Sequence, residues 1–248
     1  MNDGKVSPTG EFWCGSLVRD GEREVVQGGA ALYVLRKWSE DVVCVKKSGI
    51  TVSNGIAFLE EDCLNAKIEN ENDEKECGKV KIYHTDSPTF KIDVMDFNFD
   101  FVSPGAGEHV DGGLTFSKAA AQALASRRRA FPVGSPTGPE PLGFSVPDGC
   151  ALDTKGKLWV ALFGGFEVQQ IDPESGEVLA IVELPEDAGP QVTAVAFGPG
   201  GRLFITTARE YWDEGGALSR KYGGAGKLYE CEVGCTGLGL NEFKKFGV

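Results

Sequence analysis

Three short turns along this chain carry the residues best suited to chemistry: "NDG" at residues 2–4, "SNG" at 53–55 and "PDG" at 147–149. Amide and carboxylate oxygens presented side by side are what a hard divalent cation such as Ca²⁺ or Mg²⁺ requires. One such turn says little, because Asn-Gly and Asp-Gly are also strong two-residue hairpin signals. Recurrence is what singles these out, and it makes Asn2, Asn54 and Asp148 candidates to meet at one place. A lone aspartate among neutral amides holds a hard cation only weakly, so this reading also calls for another carboxylate.

The elements that must position these turns form a repeat. Four segments share a glycine turn followed by an apolar strand: "TGEFWCGS", "CGKVKIYHTD", "KGKLWVALFG" and "GGRLFITTAR". A second strand follows each, in "GAALYVLRKW", "FKIDVMDFNFD", "FEVQQIDPESG" and "GKLYECEV", and a third precedes the last three, in "TVSNGIAFLE", "VPDGCALDTK" and "VTAVAFGPGG". Gly156 and Gly201 lie 45 positions apart (201 − 156), a spacing typical of propeller blades. Short strands at that period, broken by Gly, Pro, Asn and Asp, predict an all-β protein with a β-propeller fold in one domain over residues 1–248. Two inserts lengthen the other gaps. The first, about 63–77, is acidic and reads as a solvated loop; the second, about 102–145, reads as a surface loop with one short helix in "SKAAAQALASRRRA".

The first copy of the unit is expected to begin at its second or third strand. Equivalent blade ends converge on a central channel, where Asn2, Asn54 and Asp148 would meet. A propeller closes because an open sheet edge leaves unpaired backbone groups. About four units leave two options, a four-bladed ring or the later blades of a larger one, and the mid-blade start favours the second. Open edges also imply self-association.

Composition limits the partners. With 37 acidic and 25 basic side chains the formal net charge is −12, which argues against nucleic acid; the one basic run, Arg127–Arg129, is short. No apolar stretch is long enough for a membrane helix. The first residues lack the layout of a secretory signal and there is no Asn-x-Ser/Thr acceptor, so the expected location is cytoplasmic. The seven cysteines read as free thiols, with a disulfide between Cys63 and Cys77 as the alternative. Two histidines, His84 and His109, and no Gly-x-Ser-x-Gly elbow give a serine triad little support. "GGAGKLY" lacks the spacing of a phosphate loop, and "ENENDEKE" lacks the glycine and register of an EF-hand.

Taken together, "NDGKVSPTGEFWCG", "SNGIAF", "HTDSPTFKIDVMDF", "PDGCALDTKGKLWVALFGG" and "VQQIDPESGEVLAIVELP" resemble the regucalcin (senescence marker protein)/gluconolactonase/luciferin-regenerating family over almost the whole chain outside the inserts. The resemblance implies a six-bladed β-propeller with one divalent ion, Ca²⁺ or Zn²⁺ with Mn²⁺ and Mg²⁺ as alternatives, at the channel mouth, and hydrolysis of sugar lactones. It implies that Asn54 and Asp148 are metal ligands, that Asp148 is also the catalytic acid/base, and that Asn2 contacts substrate. Asp20 of "LVRDGE" is a weaker candidate for sugar hydroxyls. Two family residues, a first-blade glutamate ligand and an arginine just before the "NDG" turn, would fall ahead of Met1, so the expectation is a chain lacking the first blades. Two alternatives stand beside the lactonase: a non-catalytic calcium-binding or decayed propeller, and a propeller esterase or phosphotriesterase.

Overall fold

The computed structural model describes residues 1–8, 10–21, 24–35, 42–60, 79–98, 129–209 and 220–239. The acidic insert, Cys63 and Cys77, His109 and the helix expected near residues 117–130 fall outside the described residues, apart from 129 and 130.

The strands are built from β-branched and aromatic residues bounded by glycine turns. β1 (Gly4–Val6) and β2 (Phe12–Gly15) lead into a small hairpin, β3 (Arg19–Asp20) and β4 (Glu24–Val25), then β5 (Ala30–Leu35) and β6 (Val42–Ile50). β7 (Ser53–Glu60), β8 (Lys79–Asp86), β9 (Lys91–Asn98) and β10 (Arg129–Pro132) follow, then β11 (Val146–Leu152), β12 (Leu158–Phe163), β13 (Glu167–Ile171) and β14 (Val178–Glu183). The last three are β15 (Val192–Phe197), β16 (Arg202–Thr207) and β17 (Leu228–Glu232). They make four antiparallel sheets in the orders β1-β2-β5-β6, β10-β9-β8-β7, β11-β12-β13-β14 and β15-β16-β17. Each sheet is a blade of a β-propeller. β1 packs on β7, β7 on β11 and β11 on β15, so the first strand of every blade lines the central channel.

Two expectations are corrected. The first unit does not begin at its second or third strand: Gly4–Val6 pairs with β2 and is the inner strand of a four-stranded blade. Within the second insert, Arg129–Pro132 is not loop but the outer strand of the second blade, paired with β9. Among the described residues no helix is long and apolar enough to cross a membrane.

Apolar layers join neighbouring blades. Trp13, Leu32 and Val34 of the first meet Phe58, Val80 and Ile82 of the second; Tyr83, Ile92 and Phe131 meet Leu158, Val160 and Leu162; Trp159 and Val168 meet Val195, Leu203 and Ile205. Edge-on aromatic pairs, Trp13–Phe58 at 5.7 Å and Trp159–Phe197 at 6.0 Å, pin two of the three seams.

The inner strands carry one repeated irregularity. Pairing of β7 with β8 shifts between Ser53 and Ile56, of β11 with β12 between Pro147 and Cys150, and of β15 with β16 between Val192 and Ala194. These are β-bulges, which re-aim a side chain. The residues inside the first two are Asn54-Gly55 and Asp148-Gly149. A Cβ on Gly55 would lie 2.5 Å from the Asp148 carbonyl oxygen and 2.9 Å from the Cys150 nitrogen, and one on Gly149 would lie 2.9 Å from the Ala194 Cα. Glycine is therefore what lets successive inner strands touch. Gly55→Ala forces two backbones apart and should cost about 2 kcal/mol in chemical unfolding. Gly223→Ala, where a Cβ meets open space, should change stability by less than about 0.5 kcal/mol.

Candidate functional site

Aligning the three polar turns on their glycines places Asp3, Asn54 and Asp148 in register, with Asn2, Ser53 and Pro147 one step before. The fold brings all of them to one end of the channel. The Asn2 amide Nδ2 donates to the Ser53 carbonyl at 2.9 Å and to Asn54 Oδ1, which ties the first blade to the second. Asn54 in turn donates through its Nδ2 to Ser87 Oγ at 2.7 Å, and Ser87 Oγ donates to the Pro147 carbonyl at 2.6 Å. An unbroken chain of hydrogen bonds thus runs from Asn2 to the turn that bears Asp148.

Asp148 is half-buried, and its carboxyl is pushed up to about 8, first by burial and then by the facing charge of Asp3, against a hydrogen bond from the Gly149 amide. Burial likewise raises Asp3, while the Gly4 amide, donating at 2.6 Å, and the Lys5 charge pull it down. Asp3 is a second carboxylate near Asp148, distinct from the glutamate that the resemblance puts ahead of Met1. Its local signal is the same "DG" turn that carries Asn2, and only the fold shows the Asp3 charge acting on Asp148. Cys150 follows Asp148 closely, yet burial holds its thiol up at about 12, so it is no nucleophile. Asp20 lies exposed on the β3–β4 hairpin, which rises from the Gly15 end of β2, the end where Asn2 stands.

Behind the turns the scaffold is rigid. The buried Asp86 carboxylate accepts the Thr51 amide at 3.1 Å and the Val52 amide at 2.9 Å, which fixes the start of β7. Ser53 Oγ and His84 Nε2 are 2.7 Å apart, but Ser53 is fully buried under Gly15, so this Ser–His pair is internal wiring rather than a nucleophile and its base.

The donor set fits a hard cation. The Asp3 charge acts on Asp148 at the end of the channel where Asn54 stands, and burial together with that charge holds the Asp148 carboxyl protonated up to about 8. The set is lean: among the described residues no group of three or more His, Cys, Asp and Glu side chains gathers around one point, so amide oxygens would supply the balance.

A β-propeller with a desolvated polar cluster of this kind at its channel mouth is the class that fold and site define. The model of the family described as SMP-30/Gluconolactonase/LRE-like region matches residues 78–209, more than half of the chain. This chain belongs to that family. It is 29% identical to regucalcin of Danio rerio over 244 residues, covering 97% of this chain and 63% of that protein. An uncharacterised protein of Sulfolobus acidocaldarius is 30% identical over 223 residues, 89% of this chain and 62% of that one. The chain thus spans somewhat less than two thirds of the length of these relatives. A solved luciferin-regenerating enzyme shares the fold, with a TM-score of 0.65 at 24% identity over 98% of this chain and 64% of its own. So does a regucalcin of Agrobacterium tumefaciens, described as a calcium-binding protein, with a TM-score of 0.62 at 21% identity over 98% of this chain and 64% of its own.

The shift of Asp148 has a consequence for stability. In the unfolded chain the carboxyl ionises near its ordinary 3.8, whereas in the fold it keeps its proton up to about 8. Between these values the folded state binds more protons, so stability is greatest at the acid end and falls as pH rises across the window. Asp148→Asn keeps the shape and removes the titration. It should raise stability by about 2 kcal/mol or more near neutral pH, and the gain should shrink toward zero near pH 4. Thermal melts of both proteins across that range are the check.

Proposed function

We propose that this chain carries the metal site of a divalent-metal-dependent lactone hydrolase of the gluconolactonase type. The observation behind the reading is the convergence of Asp148, Asp3 and Asn54 at the channel mouth, with the Asp148 proton affinity tuned to near neutrality. Asn54 and Asp148 would hold the cation, Ca²⁺ or Zn²⁺ by preference and Mn²⁺ or Mg²⁺ as alternatives. Once bound, such an ion supplies Lewis acidity to a lactone carbonyl and lowers the pKa of water.

The chain's own residues divide the remaining work. Asp148 manages the proton: its carboxylate takes one from the attacking water and returns it to the ring oxygen as the ester bond opens. Asp3 adds negative charge beside Asp148, which strengthens the pull on a cation and leaves that carboxyl protonated until one binds. Asn2 spends its Nδ2 on Ser53 and Asn54, leaving its oxygen to accept from a sugar hydroxyl. A small, polyhydroxylated lactone suits a mouth lined by short amides and carboxylates. The cellular setting proposed is cytoplasmic.

A second reading, a calcium-binding propeller without turnover, is favoured by the lean donor set, in which two carboxylates and an amide are the oxygens the described residues provide. A panel of sugar lactones and organophosphate triesters, each with Ca²⁺, Zn²⁺, Mn²⁺ and Mg²⁺, separates these possibilities from a propeller esterase or phosphotriesterase. Lactone turnover with one or more of the metals, lost in Asp148→Ala together with metal uptake, is the expected result; full activity in that variant overturns the role of Asp148. Because a cation must displace the Asp148 proton, its affinity should rise about tenfold per pH unit up to about 8 and then level off, with close to one proton released per ion. Titration calorimetry in buffers of different ionisation enthalpy reads both quantities.

A further inference from the structure

We infer that Ser87 is a positioning residue that sets which end of the Asn54 amide faces the channel mouth. The inference deepens the metal reading above and rests on Asn54 serving there as an oxygen ligand.

A primary amide has two ends of nearly equal size, and only the oxygen end can bind a cation. Which end points where is decided by its partners. Ser87 Oγ commits its proton to the Pro147 carbonyl at 2.6 Å, so toward Asn54 it can only accept. Asn54 meets it with Nδ2 at 2.7 Å, and the opposite end, Oδ1, then accepts from Asn2. Reversing the amide would set oxygen against the Ser87 lone pairs and N–H against the Asn2 N–H. Both partners therefore select one orientation, and Ser87 is the one buried beneath the site, at 4% exposure.

Ser87 is itself held in place. It follows Asp86, whose carboxylate grips the Thr51 and Val52 amides, and its own N–H donates to the Val52 carbonyl at 3.2 Å. The same hydroxyl that orients Asn54 also holds the backbone one residue before Asp148. Partners of this outer kind typically tune metal affinity ten- to a hundredfold.

The test reads the amide before the metal. In the metal-free chain, the Asn54 side-chain amide protons, assigned by their absence in Asn54→Asp, should exchange slowly with solvent. Ser87→Ala should speed that exchange at least about tenfold, and so should Ser87→Cys, which fills the same space with a weak acceptor and leaves no cavity. Ser87→Thr, which keeps the hydroxyl, should retain the protection. In Ca²⁺ titrations the Ala and Cys variants should bind about tenfold more weakly, whereas in an Asn54→Asp background, where both ends are oxygen, removing Ser87 should change affinity less than about twofold. Unchanged amide exchange in both the Ala and Cys variants overturns the inference, as does faster exchange with unchanged Ca²⁺ affinity. A wild-type chain that takes up no Ca²⁺, Zn²⁺, Mn²⁺ or Mg²⁺ overturns the metal reading instead, and the exchange data still decide the orientation.

Discussion

The rest of the structure depends on the backbone contact between successive inner strands. Gly55 sits against the Asp148 carbonyl and the Cys150 nitrogen, and Gly149 against Thr193 and Ala194. A side chain at either position would wedge the blades apart. The same bulges that bring the backbones together contain the preceding residues, Asn54 and Asp148, on the strands that line the channel. Packing and site are one feature: the glycine sets the approach and its neighbour is thereby delivered to the mouth.

Delivery has an electrostatic consequence. Desolvated carboxylates brought together repel, and each resists ionisation. Asp148 shows this most strongly, since burial and the Asp3 charge act in the same direction. A cation at the mouth would relieve both effects at once, which is the usual balance struck at functional sites, where strain in the empty protein is offset by the bound one. Cys150, in the same environment, responds in the same sense, and for a thiol that means silence rather than reactivity.

Polar wiring supports the cluster from behind. Buried Asp86 fixes the start of β7, and Ser53 with His84 fills the space under Gly15. Asp153 does comparable work at the far end of β11, where it accepts from the Lys155 and Lys157 amides, the Trp159 indole at 3.1 Å and Gln170 at 2.8 Å. Buried carboxylates of this kind are tolerated because each lone pair finds a donor. Asp148 has the Gly149 amide as its partner and the charge of Asp3 against it, and that asymmetry is what makes it a candidate functional group.

The amino-acid sequence by itself determined the all-β character, the propeller period, every inner strand except β1, and the candidacy of Asn2, Asn54 and Asp148, because alternation, glycine turns and repetition are local signals. The outer strands β6, β10 and β14 were not legible. An outer strand need bury only one face, and in β14 Val178, Leu179 and Ile181 are exposed, so its pattern does not announce its place. β1 is three residues long and is defined only by its pairing with β2. Only the tertiary structure decided that Asp3 acts on Asp148, that Ser87 spans the gap between Asn54 and Pro147, and that Cys150 is inert. Residues 51 to 145 positions apart in the chain (Asn2 to Ser53, and Asp3 to Asp148) come together only when blades stack, and no local pattern encodes the distance at which they do so.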